Sequence, residues 1–133
     1  RLGVTDRVTF TGVVQRDAVP HYVAAFDIAL QPHVVAYASP LKLIEYLALG
    51  RAIVAPSTPN IREILTDGAT GLLFEPGDTV AFAEAIVRLA NDTPLREALG
   101  QAALGLLQSR NLTWHHNAEQ VIDLFYGRLN CKR

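Results

Sequence analysis

The sequence has little of what marks secreted, membrane-spanning or nucleic-acid-binding proteins. Its one cysteine, Cys131, cannot form an internal disulfide, which fits a reducing compartment. No apolar run approaches the about 20 residues of a membrane-spanning helix, and no signal peptide is recognisable. The formal net charge is -1, so no overall basic field would attract nucleic acid. We therefore expect a cytoplasmic protein without a nucleic-acid partner, with the inner face of the membrane as a further location.

Motifs for common cofactors and metals are missing as well. No Gly-x-Gly-x-x-Gly run follows a strand-like segment, which argues against a dinucleotide-binding loop, and there is no P-loop. His115 and His116 are adjacent, so they would point to different faces of a helix and make a poor metal site. We expect neither a cofactor nor a metal requirement.

Short apolar runs alternate with helical patterns along the first part of the chain. Half of the 133 residues are hydrophobic, which is enough for the core of a single domain over residues 1–133. The alternation predicts an α/β fold with a Rossmann-like parallel sheet of about four strands, flanking helices and a helical C-terminal third. Strands are predicted at 8–12, 27–32, 52–56 and 71–74, and helices at 17–26, 60–66, 79–91, 94–109 and 114–129.

The segment from Ser39 to Gly50 has the pattern of a short helix with both ends marked. Ser39 suits the N-cap, Pro40 suits the first helical position, and Gly50 suits the left-handed residue that ends a helix. Four apolar residues share one face of this helix: Leu43, Ile44, Leu47 and Ala48. Glu45 lies off that face. The residues alone leave two interpretations open, a functional carboxylate or a solvated side chain paired with Lys42.

The start of this helix is also a candidate anion site. Loop 33–38 follows a predicted parallel strand, and ligands of open parallel sheets bind at that end of the strands. Leu41 and Lys42 supply first-turn amides with partial positive charge, whereas Pro40 cannot. Lys42 adds a full positive charge, and Glu45 could accept hydrogen bonds from the vicinal hydroxyls of a ribose. The spacing permits a nucleoside diphosphate, with its phosphates near the amides.

The chain resembles the retaining GT-B glycosyltransferases, the "glycosyl transferases group 1" or family 4 enzymes, over nearly its whole length. The central match is to their donor-binding segment, Ser-Pro-Leu-Lys-Leu-Ile-Glu-Tyr-Leu-Ala-Leu-Gly-Arg-Ala-Ile-Val-Ala at 39–55. Further matches follow the family's order at 7–13, 26–32 and 63–78. The resemblance implies part of the C-terminal nucleotide-sugar-binding domain of such an enzyme.

The resemblance also assigns donor-binding residues. The family has a pair of glutamates, and Glu45 matches the second, which contacts the nucleotide ribose. The first would fall at Tyr37 and is missing here. The loop amides that hold the diphosphate match Ser39 and Leu41, with Pro40 unable to donate. The donor-binding residues that we expect are Ser39, Pro40, Leu41, Lys42 and Glu45, and no catalytic residue is assigned.

The resemblance implies that the chain is only part of an enzyme. The acceptor domain and the first part of the donor domain would be missing, so we expect the chain alone to be inactive. The whole enzyme would transfer a sugar from a nucleotide-sugar donor with retention. The alternative is a stand-alone non-catalytic module that binds a nucleotide or a protein. A GT-B sugar-nucleotide epimerase fits the Ser-Pro-Leu-Lys run less well.

The resemblance further predicts the order of the strands. In the doubly wound sheet the order is 3-2-1-4-5-6, and segments 8–12, 27–31, 52–55 and 71–74 match strands 3 to 6. The missing strand 1 would leave segment 27–31 with an open edge, which rarely stays unpaired. We therefore expect 8–12 to pair with 27–31 through a right-handed crossover. The alternative is a homodimer in which two chains pair at this edge.

Overall fold

The computed structural model describes residues 3–35, 37 and 39–130, and it has an α/β fold. Within these residues a parallel sheet has three strands in the order β1-β2-β3: β1 (Ile28–Leu30), β2 (Ala52–Pro56) and β3 (Leu72–Phe74). A 3-10 turn at Thr5–Arg7 precedes the helices, which are α1 (Val19–Ala24), α2 (Leu41–Ala48), α3 (Pro59–Arg62), α4 (Thr79–Asn91), α5 (Thr93–Ser109) and α6 (Trp114–Asn130).

The middle strand, β2, is buried along its whole length. Successive side chains of a strand point to opposite faces, so β2 contributes to two apolar clusters. Ile53 and Ala55 pack in the cluster that includes α2 and α3, and Ala52 and Val54 pack in the cluster that includes α4 and α5. A parallel strand covered on both sides needs this uniformly apolar sequence.

Most of the predicted elements are confirmed, including the strand order. The strands matched to positions 4, 5 and 6 of the doubly wound sheet are neighbours in that order. Helix α4 covers the predicted 79–91, and the Asp78 carboxylate accepts from two amides of its first turn. Helix α5 begins at Thr93 and is capped by Asp92, whose carboxylate accepts from the Leu95 amide at 2.9 Å. Gly50 follows α2 with a φ of 60°, as predicted.

The predicted strand at 8–12 is wrong. No ladder joins it to β1 in the part of the chain that the structure describes, and Phe10 and Val13 are 92% and 97% exposed. Aromatic and β-branched residues favour a strand only where a neighbouring strand and an apolar face receive them, and this segment has neither. The expected pairing of 8–12 with β1 is therefore wrong too. A homodimer through the β1 edge stays a prediction.

The apolar stripe of α6 is exposed on the described chain. Trp114 is 78% exposed and Phe125 63%, and Val121 and Ile122 are exposed as well. Helical spacing correctly predicts which of these residues share a face, but it does not determine what covers that face. Cys131, named in the sequence analysis, lies outside the residues that the structure describes.

Tyr46 is buried on the inner side of α2. It is 8% exposed and lies edge-on to Phe26, with the ring centroids 6.4 Å apart. Burial raises the pKa of the Tyr46 phenol above its ordinary value, and the negative charge of the neighbouring Glu45 raises it further. The folded state therefore favours the neutral phenol.

Helices α2 and α5 approach so closely that glycine is required at one point of contact. A Cβ on Gly100 of α5 would overlap the carbonyl oxygen of Gly50, just after α2, and a backbone atom cannot rotate aside. Gly105, one and a half turns further along α5, has open space where its Cβ would lie. The two glycines share one helix but differ in what surrounds them.

We expect Tyr46→Phe to make the protein less sensitive to alkaline pH. A folded-state pKa above the unfolded value gives stability that is complete below about pH 10 and is lost as the pH rises through the folded pKa. The free energy of unfolding of the wild type should therefore fall more steeply above about pH 10 than that of Tyr46→Phe. Urea titrations across this range measure the difference, with Tyr126→Phe at an exposed site as the control. Parallel curves for wild type and Tyr46→Phe would contradict the assignment.

We expect opposite effects from alanine at the two glycines of α5. Gly100→Ala should lower the free energy of unfolding by about 1–3 kcal/mol, because overpacking forces the helices apart. Gly105→Ala should leave it unchanged or raise it by up to about 1 kcal/mol through helix propensity. Chemical denaturation measures the free energy of unfolding of the two variants and of the wild type. A Gly100→Ala protein as stable as Gly105→Ala would show that the helices do not meet at Gly50.

Candidate functional site

Helix α2 begins after a tight turn that ends the loop from β1. Pro40 directly precedes the helix with φ −81° and ψ 70°, so it is not the first helical residue as predicted. The Ser39 side chain does not cap the helix, which corrects the predicted N-cap. Instead its carbonyl oxygen accepts from the Leu41 amide at 2.9 Å. The ψ of Pro40 lies outside the helical range, so the chain turns at this residue and the helix begins only at Leu41.

This turn changes which first-turn amides can meet a ligand. The Leu41 amide is engaged by Ser39, and the Leu43 amide donates to the Pro40 carbonyl at 2.9 Å. The Lys42 amide has no hydrogen-bond acceptor among the described residues, as expected for an amide in the first turn of a helix. The predicted use of the Leu41 amide by an anion would therefore require it to leave Ser39. The role of Lys42 stays a prediction, and its side chain is exposed at this position.

Glu45 is exposed on the side of α2 that faces away from the sheet. Its neighbours Leu43, Tyr46 and Leu47 are buried, so the helix is anchored while this carboxylate remains in solvent. The alternative pairing with Lys42 is not observed, since no ion pair of either residue occurs within the described ranges. The geometry places Glu45 where a ligand could reach it, and its role as a ribose contact stays a prediction.

Glu45 lines a groove between α1 and α2. The groove has a volume of about 310 Å³. Its walls are largely apolar, with Arg16 as the second charged residue. The other lining residues are Val19, Pro20, Val23, Ala48 and Leu49. An apolar cleft with a few polar groups of opposite charge is the usual form of a small-molecule site.

Arg16 and the apolar wall from α1 were not expected at the site. Val19 and Val23 lie on one face of α1, and Val23 is only 5% exposed. Arg16 lies in a turn before α1 and belongs to no motif. The sequence carries no local signal for this wall, because the groove forms only when α1 and α2 pack together.

The loop between β1 and α2 is held at three described points. The Gln31 amide extends the sheet by donating to the Val54 carbonyl at 2.9 Å. Val34 packs against the core cluster that includes α2 and α3. Asn60 of α3 donates from Nδ2 to the Val35 carbonyl at 3.2 Å. Beyond Val35, the described residues Tyr37 and Ser39 are exposed.

A second, more polar cavity of about 200 Å³ lies at the opposite end of the sheet, beside Asp27 and Ala52. The guanidinium group of Arg51 donates there to main-chain carbonyls, including that of Phe26 at 2.9 Å. Arg96 likewise donates to a main-chain carbonyl, that of Leu89, at 2.8 Å. Since both cations bind the backbone, we assign this cavity to the packing of the fold.

None of the helices in the described ranges is both long and apolar enough to cross a membrane. This observation agrees with the lack of long apolar runs in the sequence.

Comparison of the sequence with known proteins points to one family. The family described as "Glycosyl transferases group 1" matches residues 1–92. The chain is 28% identical over 123 residues to the phosphatidyl-myo-inositol mannosyltransferase of Mycobacterium leprae (strain TN). That match covers 92% of this chain and 32% of the relative. The chain thus spans about a third or less of the length of the curated relatives it matches.

Several solved structures share this fold. Sucrose-phosphate synthase from Thermosynechococcus elongatus superposes with a TM-score of 0.83 at 28% identity, covering 96% of this chain and 32% of that one. Anabaena HepE, solved in complex with UDP-glucose, superposes with a TM-score of 0.69 at 25% identity, covering 80% of this chain and 29% of that one. Together with the family match over more than half of the sequence, they show that the chain belongs to the glycosyl transferases group 1 family and corresponds to part of its C-terminal domain.

Proposed function

We propose that this chain forms the donor side of a glycosyltransferase that transfers a sugar from a nucleotide-sugar donor with retention of anomeric configuration. Family membership and relatives named for sugar transfer support this assignment. HepE, which shares the fold at 25% identity, is known in complex with UDP-glucose. The site described above offers complementary chemistry for the nucleoside and diphosphate parts of such a donor.

The exposed carboxylate of Glu45 is the observation that carries the proposal. Leu43, Tyr46 and Leu47 bury the helix, whereas Glu45 is exposed and makes no ion pair with Lys42. A carboxylate at the edge of an apolar groove can accept both hydrogen bonds that a vicinal diol offers, and a base can lie against the apolar wall. The groove volume of about 310 Å³ is in the range of small-molecule sites.

The diphosphate would lie at the start of α2. The Lys42 amide and ammonium group both offer positive charge there, and the helix dipole adds to it. The Leu41 amide would join them by exchanging the Ser39 carbonyl for a phosphate oxygen. As the bond from the sugar to the diphosphate breaks, negative charge grows on the leaving phosphate, and the positive groups stabilise it. The proposal invokes no metal ion, since helix amides and Lys42 meet this charge.

Tyr37 stands where the resemblance places the first glutamate of the pair. It is 92% exposed, and its neutral phenol can both donate and accept a hydrogen bond. A phenol cannot act as a carboxylate toward the sugar, so we propose that contacts to the donor sugar differ from those in relatives with two glutamates.

Orientation of the acceptor would come from a second domain facing this site. Holding the two substrates in the orientation in which they react contributes a large part of enzymatic rate enhancement. A single domain that forms only one side of the cleft cannot provide this orientation. For the 133-residue chain we therefore expect nucleotide binding without sugar transfer. Affinity should be weak, with a Kd of about 1 mM, which corresponds to about −4 kcal/mol. Retention would be established for a form of the enzyme that also contains the second domain, if the transferred sugar has the same anomeric configuration in the product as in the donor.

We expect Glu45→Gln to weaken binding of UDP at least tenfold, because hydrogen bonds to a charged group contribute about 1.5–3 kcal/mol. The fold should be unaffected, since Glu45 is exposed. NMR titration of the labelled chain with UDP, GDP and ADP measures the affinity. Glu84→Gln, at an exposed position of α4, is the matched control. Equal affinities of the two variants would contradict the role of Glu45. A wild-type chain that binds none of the three nucleotides would overturn the proposed function.

We expect a smaller and salt-sensitive effect from Lys42→Ala. An exposed point charge attracts the diphosphate, but mobile ions screen it over a Debye length of about 8 Å at physiological ionic strength. The ratio of the Kd values of Lys42→Ala and wild type for UDP should therefore fall toward one between about 0.05 and 0.5 M salt. The same NMR titrations at several salt concentrations give this ratio. A loss of affinity that does not change with salt would argue against a charge contact.

A further inference from the structure

We propose that Asn60 is a positioning residue for the diphosphate of the donor. It lies in α3, outside the donor-binding segment, and acts through the loop between β1 and α2. The inference rests on the proposed function, because it concerns the same donor site. Asn60 belongs to none of the candidate binding motifs described above and does not line the groove.

The carboxamide of Asn60 has a fixed orientation. Its Oδ1 accepts from the Thr58 hydroxyl at 2.7 Å and from the Ile61 amide at 3.1 Å. Its Nδ2 donates to the Val35 carbonyl at 3.2 Å. These two oxygen contacts lie within the start of α3, whereas the contact from Nδ2 to Val35 crosses to the donor loop, 25 residues earlier in the chain. The two ends of one side chain therefore join α3 to this loop.

The contact at Val35 lies between the anchored and the exposed parts of the loop. Before it, Gln31 is bonded to β2 and Val34 is packed on the core. After it, the described residues Tyr37 and Ser39 are exposed up to the first turn of α2. The Val35 contact is thus the last described link to another element before the amides proposed to hold the diphosphate.

This position has a specific consequence for ligand binding. A loop that is tethered close to its binding position has fewer conformations to lose when a ligand binds, even though the Leu41 amide must still exchange the Ser39 carbonyl for a phosphate oxygen. Release of Val35 should therefore weaken contacts at the start of α2, where the diphosphate would lie. The groove between α1 and α2 does not include the loop, so contacts of the nucleoside should be unaffected.

The substitution Asn60→Asp separates the two halves of the side chain. It keeps an oxygen for Thr58 and Ile61 but replaces the donor to the Val35 carbonyl with a second acceptor, which that carbonyl repels. Thr58→Val is the matched control, because it removes a partner of Oδ1 and leaves the bond to Val35. Asn60→Ser provides a second variant, since a serine hydroxyl is too short to reach Val35.

The test compares UDP with uridine in NMR titrations of the full 133-residue chain. We expect Asn60→Asp and Asn60→Ser to weaken UDP binding about three- to tenfold, the range for loss of one ordinary hydrogen bond. Uridine affinity and Thr58→Val should stay near wild type. The amide signals of Ser39 and Lys42 should shift in the two Asn60 variants without ligand, which a purely structural role in α3 would not cause.

Three results would overturn the inference. The first is UDP affinity in the Asn60 variants equal to that of Thr58→Val. The second is an equal loss for UDP and uridine, which would indicate general destabilisation. The third is that the wild-type chain binds UDP while Glu45→Gln abolishes binding and the Asn60 variants have no effect. In that case the proposed function stands and only the role of Asn60 fails. Failure of wild type to bind UDP, GDP or ADP rejects both.

Discussion

The burial of β2 on both faces is the constraint on which the rest of the structure depends. Five consecutive residues of this strand are buried, so helices must cover the sheet on each side. The register of β1 and β3 on β2 then determines where each connection leaves the sheet. The β1–α2 and β2–α3 connections emerge at the same edge, because parallel strands share their direction. That shared edge brings Asn60 and Val35 together.

The candidate site divides into a rigid part and a part that is held by few contacts. Leu43 and Leu47 fix α2 in the core, and Val23 fixes α1 against it, so the groove between them has firm walls. The turn at Ser39 and Pro40 has only local backbone bonds. This division suits a nucleotide, whose nucleoside needs a preformed cleft and whose diphosphate needs amides that can reorient. Positive charge at the turn and negative charge at Glu45 also match the two ends of such a ligand.

The sequence predicted the elements whose causes are local. Strand β2 is a continuous apolar run, and Gly50 ends α2 because it adopts a positive φ. Segment 8–12 was mispredicted because a strand depends on its neighbour as much as on its residues. The helix start at Leu41 was misplaced because the ψ of Pro40 is set by the loop before it.

The site itself was only partly predictable. Glu45 and Lys42 stand out because they interrupt an apolar pattern and match a family segment. Arg16 and the contact of Asn60 with Val35 depend on which elements become neighbours in space. Sequence spacing contains no information on such pairs, since the partners lie in different elements. For the same reason, helical spacing shows that the apolar residues of α6 share one face but cannot show that this face is exposed.

The contact between Gly50 and Gly100 has a mechanical consequence. Where side chains separate two helices, rotamer changes can absorb a small displacement of one relative to the other. Here backbone faces backbone, and no rotamer is available to absorb it. The end of α2, the helix that carries Glu45, is therefore joined to α5 by a contact that no side-chain rotation can relax.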